Sequence, residues 1–157
     1  MASMVAGAGS AEAAAFPGQT TLIIRNLPRK FAGADLVSEL TMYVPQSALD
    51  FVYVPWDRKG TNNVGYGFVN FVQAATAEEA GRRMQGQPWR TGERSRPVKV
   101  QVAHVQGLEA NLQRFAAQGG SVEEENVPLV FSGGAPADLE AALRRLRSPS
   151  CGVSTTT

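Results

Sequence analysis

The chain has 157 residues, 43% of them hydrophobic, with 15 Lys/Arg against 14 Asp/Glu and a formal net charge of +1. That is enough apolar material for one domain with tails, and no apolar run approaches the roughly 20 residues that cross a bilayer. Cys151 is the only cysteine, which excludes an internal disulfide and fits a reducing, intracellular setting in nucleus or cytoplasm.

Charge is distributed unevenly. Residues 20–118 hold 12 Lys/Arg and 8 Asp/Glu, or +4, whereas residues 1–19 carry −1 and residues 119–157 carry −2. A mildly basic middle permits an anionic partner. Residues 1–19 are Ala/Gly-rich, lack the basic and apolar regions of a secretory signal, and read as a disordered leader.

In chain order, "TTLIIRNLP" (20–28) is a β-branched run stopped by Pro28, the signature of a strand. Leu36, Val37, Leu40 and Tyr43 fall at helical spacing over 34–43. "ALDFVYVP" (48–55) is a second strand, and "WDRKGTNN" a turn-rich loop. "NNVGYGFVNF" (62–71) is a third strand. Alternation places Tyr66, Phe68 and Asn70 on one face, with Gly65, Gly67, Val69 and Phe71 on the other. In "TAEEAGRRMQG", Thr76 and Glu79 have capping-box spacing and Gly86 suits the C′ position of a second helix. After the basic loop 88–97, "VKVQVAHV" (98–105) alternates as a fourth strand. The order βαββαβ predicts an α+β, ferredoxin-like sandwich: a four-stranded antiparallel sheet with two helices on one face.

Two segments follow. "GLEANLQRFAAQGG" (107–120) carries Leu108, Leu112 and Phe115 as a helical stripe that must be buried. It either caps the open sheet face or packs beside it and extends it. "VPLVF" (127–131) reads as an extra strand or an apolar clamp, and 136–147 as a short helix with Pro136 in its first turn. The expected division is a leader at 1–19, a domain with a C-terminal helix at 20–118, and a tail at 119–157.

"VGYGFVNF" (64–71) matches seven of the eight positions of the octamer K/R-G-F/Y-G/A-F-V-x-F/Y, with Val64 in place of the cation. "LIIRNL" (22–27) resembles the companion hexamer, with Ile23 where a stacking aromatic is usual. Together they resemble the RNA-recognition motif. "NLPRKF", "DFVYVPWD", "NVGYGFVNF" and "HVQG" further resemble the C-terminal motif of the Mei-two-like meiosis regulators, over roughly residues 20–118. The resemblance implies single-stranded RNA binding without catalysis or cofactor.

Splayed bases stack on aromatic rings, and Tyr66 and Phe68 lie about 6–7 Å apart along one strand face. The same face is expected to carry Ile23, Arg25, Tyr53, Asn70, Lys99, Gln101 and Ala103, with Phe51 depending on a bulge. Arg29, Lys30, Arg58 and Lys59 flank it as phosphate contacts. His104, the only histidine, follows the last strand, where such domains often contact RNA. Asn26 reads as a turn cap, Gly65 and Gly67 as close-packing positions, and Arg90, Arg94 and Arg96 as solubilising charges.

A second reading is a protein-interaction module, with the C-terminal helix over the sheet and Trp56 or the terminal helix at 136–147 meeting a protein partner. A third, an acylphosphatase-like enzyme, lacks the Gly-rich phosphate cradle in "RNLPRKF" and any clustered catalytic set. The expected molecule is a monomer without membrane contact.

Overall fold

A computed structural model describes residues 18–90, 96–120 and 126–146. Most of the leader, Arg94 and the segment from residue 147 onward lie outside the described residues.

The predicted βαββαβ order is present: β1 (Thr21–Arg25), α1 (Gly33–Leu40), β2 (Leu49–Tyr53), β3 (Tyr66–Phe71), α2 (Ala74–Met84) and β4 (Lys99–Val102). Then come α3 (Leu108–Ala117), β5 (Leu129–Ser132), β6 (Ala135–Ala137) and α4 (Leu139–Leu146). The sheet has six antiparallel strands rather than four, in the order β4-β1-β3-β2-β5-β6. The segment expected as a tail therefore belongs to the fold: β5 pairs with the edge of β2, and β6 with β5.

Side-chain alternation across this sheet builds two cores. On one side Leu22, Ile24, Val52, Val69, Phe71 and Val100 meet Leu36, Leu40, Ala77, Ala80 and Met84 of α1 and α2, all buried. On the other, Phe51 and Val130 meet Leu112 and Phe115 of α3 and Leu139, Ala142 and Leu143 of α4. β5 serves both, sending Val130 to the second core and Phe131 to the first.

A bulge makes the second core possible. Leu49 lies opposite Phe71 but Phe51 lies opposite Asn70, so Asp50 is the extra residue. It reverses the alternation, leaving Leu49 in the first core and turning both Phe51 and Tyr53 toward α3.

Local expectations shift in places. α2 begins at Ala74 with Gln73 as its N-cap; Thr76 lies inside the helix, and Glu79 pairs with Arg83 at 3.8 Å instead of closing a capping box. Gly86 does follow the C-cap, at φ 82°. Pro136 is in β6, not a helix, where an edge strand tolerates a residue without an N–H. Gly133 and Gly134, at φ 61° and 92°, supply the two left-handed residues of the tight turn between β5 and β6. Gly67 is a packing glycine as expected, whereas a side chain at Gly65 would meet nothing within 4 Å; its φ of 97° is what calls for glycine. Arg90 is more than a solubilising charge, since its backbone N–H donates to the buried Glu39 carboxylate at 3.0 Å and its guanidinium lies 3.6 Å away. Asn26, at φ 67°, donates to the Pro97 carbonyl at 2.8 Å and so ties the end of β1 to the approach of β4 rather than capping its own turn.

A buried polar network joins the start of β1 to β2, β3 and α3. The Thr21 hydroxyl donates to Asn70 Oδ1 at 2.6 Å and accepts from the Gly107 N–H at 2.9 Å and Asn111 Nδ2 at 3.2 Å. Gln106 Oε1 accepts from the N–H groups of Thr20 and Thr21, and its Nε2 donates to the carbonyls of Thr21 and Ala103. Asn70 Nδ2 donates to Asp50 Oδ1 at 2.8 Å. Burial pushes the Asp50 carboxyl above its ordinary range, outweighing the hydrogen bonds that favour its charge.

Two outcomes follow from this packing. A Cβ on residue 67 would sit 3.0 Å from Leu36 Cδ2 and Val54 Cγ2 and 3.2 Å from the Tyr53 carbonyl, so Gly67→Ala should cost about 1–3 kcal/mol in urea unfolding. Asp50 binds its proton more tightly folded than unfolded, so its contribution to stability falls as pH rises from the ordinary carboxylate range through the folded pKa. Asp50→Asn keeps an acceptor for Asn70; its unfolding midpoint should match or exceed the parent's at neutral pH, with the gap closing in acid. A variant less stable at every pH would contradict this.

Candidate nucleic-acid interface

The side of the sheet away from α1 and α2 is divided in two. α3 and α4 cover the β2 and β5 half, while the β4, β1 and β3 half remains accessible. Register explains which residues gather there. Ile23 lies opposite Phe68 on one side and Gln101 on the other, and Arg25 lies between Tyr66 and Lys99. Ile23, Arg25, Tyr66, Phe68 and Gln101 are half-buried, and Lys99 and His104 exposed.

Tyr66 and Phe68 meet edge to face, with centroids 5.6 Å apart and planes at 87°. Each ring carries a guanidinium: Arg25 lies 5.3 Å from the Tyr66 centroid and Arg114 5.9 Å from that of Phe68. Arg25 Nε also donates to Gln101 Oε1 at 2.5 Å, so Tyr66, Arg25 and Gln101 form one ordered polar-aromatic row across β3, β1 and β4.

α3 packs beside this row without sealing it. Phe115 meets the edge of Tyr53 at 5.4 Å between centroids. Between helix and sheet a pocket of about 170 Å³ remains, lined by Tyr53, Tyr66, Phe68, Asn111, Arg114 and Gln118 among others. A wider hollow of about 570 Å³ adjoins it through Tyr53 and Gln118 and includes Arg58. Tyr53 thus lines both hollows, with Phe115 against its ring, rather than forming an open platform.

Two expected members of the face are not accessible. Asn70 is 3% exposed, and its amide is engaged by Thr20, Thr21 and Asp50; it holds strands together. Ala103 is 4% exposed, its N–H donating to the Thr21 carbonyl and its own carbonyl accepting from Gln106. Both lie where α3 enters across the sheet, which alternation alone does not reveal.

The flanking cations are exposed. Lys30 Nζ donates to the Thr61 carbonyl at 2.6 Å, fixing one loop to the other. Arg29, Arg58 and Lys59 project from the loops at 26–32 and 57–63. Asn63 joins these loops by donating to the carbonyls of Pro28 and Phe31 and accepting from the Gly65 N–H. Trp56 is turned inward, packed on the first core with its indole N–H on the Phe31 carbonyl at 3.2 Å.

Asn111, Arg114 and Gln118 are the lining residues that sequence reasoning missed. Their spacing, i, i+3 and i+7, runs along the flank of the apolar stripe. That spacing was visible, but nothing in it says which flank faces a pocket.

Comparison with known proteins agrees with this geometry. Residues 19–116 match the family described as RNA recognition motif 2. The chain is 33% identical over 129 residues to the protein terminal ear1 of Zea mays, covering 73% of this chain and 20% of that protein. It is 28% identical over 137 residues to the protein MEI2-like 7 of Oryza sativa subsp. japonica, covering 74% of this chain and 35% of that one. It therefore spans about a fifth to a third of the length of these relatives. Among solved structures it is similar to the second RRM domain of yeast poly(U)-binding protein Pub1, with a TM-score of 0.43 and 24% identity, over 57% of this chain and 99% of that one. With an octamer strand central to an antiparallel sheet and a family match across most of the described fold, the chain belongs to the RNA recognition motif 2 family, the Mei2-type branch of RNA-recognition motifs.

Proposed function

We propose that this protein binds single-stranded RNA, without catalysis, on the β4-β1-β3 half of its sheet and the adjoining pocket. The observation that carries this reading is the accessible Tyr66–Phe68 pair beside an uncovered row of Ile23, Arg25, Gln101 and Lys99. Bases stack on the two rings, at about 1–3 kcal/mol each. Arg25, Lys99 and Gln101 supply edge and backbone contacts, and His104 receives the strand as it leaves β4. Arg29, Lys30, Arg58 and Lys59 attract phosphate. A Kd of about 1 μM needs roughly 8 kcal/mol, more than two stacked bases supply, so the polar contacts are required.

Against the second reading, a protein-docking module with a covered sheet, stand two observations. α3 leaves half of the sheet uncovered, and the groups proposed to meet a protein are used internally. Trp56 packs on the first core, and Leu139 and Leu143 of α4 are buried in the second. The single cysteine and an RNA ligand fit a monomer acting inside the cell.

Tyr66→Ala/Phe68→Ala should stay folded by circular dichroism and lose at least about 30-fold in affinity for short single-stranded RNA. Unchanged affinity would remove the proposal. Lys99→Ala and Arg58→Ala should each flatten the dependence of log K on log salt by about 0.7, the share of one phosphate contact; an unaltered slope would exclude the residue tested.

A further inference from the structure

The pocket under α3 has a makeup that the RNA-recognition octamer does not account for. Its floor is Phe68, its back wall Tyr53 and Phe115, and its roof the Arg114 guanidinium, 5.9 Å from the Phe68 centroid. Asn111 lines it too. The Asn111 amide nitrogen is committed to Thr21 Oγ1 and the Gly107 carbonyl, which leaves Oδ1 as the group able to accept from a ligand.

We infer that this pocket is a dedicated subsite for one unpaired nucleobase, clamped between the Phe68 ring and the Arg114 guanidinium; the inference rests on the proposed RNA binding. Stacked planar groups lie about 3.4 Å apart, so a base needs about 7 Å between ring and guanidinium. Arg114 is exposed and, among the described residues, in no ion pair, so its side chain can move to open that space. In the free protein the guanidinium stands over the Phe68 ring, held there by cation–π attraction. On binding it rises and becomes the second stacking surface, as arginine planes do with unstacked bases. Asn111 Oδ1 accepts an N–H from the base edge. In a duplex those edge donors are used in pairing and the base cannot leave its stack, so the clamp selects single strands. Asn111 is fixed by the same buried network that fixes α3, so the acceptor is in place before RNA arrives.

The experiment measures fluorescence anisotropy of a labelled, random-sequence RNA of about ten nucleotides against the whole chain and its Arg114→Ala, Arg114→Lys and Tyr66→Ala variants. Because residue 114 is exposed, unfolding curves of its variants should overlay the parent's. Arg114→Ala should weaken binding by roughly tenfold. Arg114→Lys keeps the charge but loses the plane, so it should be weakened nearly as much while its salt slope matches the parent's. Full recovery by lysine would make Arg114 a phosphate contact and overturn the clamp. So would parental affinity in Arg114→Ala while Tyr66→Ala is weakened, an outcome that leaves RNA binding standing. Failure of the parent chain to bind the RNA removes the functional reading and the clamp together.

Discussion

The structure depends on one buried hydroxyl. Thr21 Oγ1, in a residue with no exposure, takes part in three hydrogen bonds, to Asn70 on β3 and to Gly107 and Asn111 at the start of α3. A buried hydroxyl needs partners, because an unsatisfied one costs about 1–3 kcal/mol, and these partners come from elements far apart in sequence. The result fixes where the chain leaves β4 and in which direction α3 crosses the sheet. Gln106 reinforces it by bonding both sides of the β1 backbone. Were α3 free to swing, the second core would lose Leu112 and Phe115 and the pocket its roof.

That anchorage sets a compromise between stability and access. The second core needs Phe51 covered, and α3 covers it; an RNA site needs Tyr66 and Phe68 uncovered. Both are met because the bulge at Asp50 concentrates the bulky groups of β2 under the helix, while β3 carries its two rings at the helix margin. The β5–β6 hairpin widens the sheet on the β2 side, so the apolar stripes of α3 and α4 rest on β2 and β5, and the start of α3 meets β1 at Thr21. A domain restricted to the βαββαβ unit would lose the Val130, Leu139 and Leu143 contacts that hold α3 to that side.

The electrostatics of the face follow the same plan. Without the cation usual at the first octamer position, where Val64 stands, positive charge comes from other directions: Arg25 from β1, Lys99 from β4, Arg114 from α3 and the loop cations from the ends of the sheet. Two of these guanidiniums rest on the rings they serve. The accessible rings are thereby flanked by groups that are themselves suited to bases and phosphate.

The sequence by itself determined the βαββαβ unit, the two aromatics on one strand face and the burial of the stripe Leu108, Leu112 and Phe115. Each is a local signal: alternation along β3, β-branched runs closed by proline, and helical spacing of apolar residues. What only the tertiary structure decided was non-local. Pro136 lies in a strand because β5 offers it an edge. Asn70 and Ala103 are withdrawn from the face because Thr21 and Gln106 meet them there. Arg114 joins the site because a hydroxyl about ninety residues earlier in the chain sets the crossing of α3. Periodicity tells which residues share a face; which part of that face stays open depends on where a distant segment docks, and contacts between distant segments leave no period in the sequence.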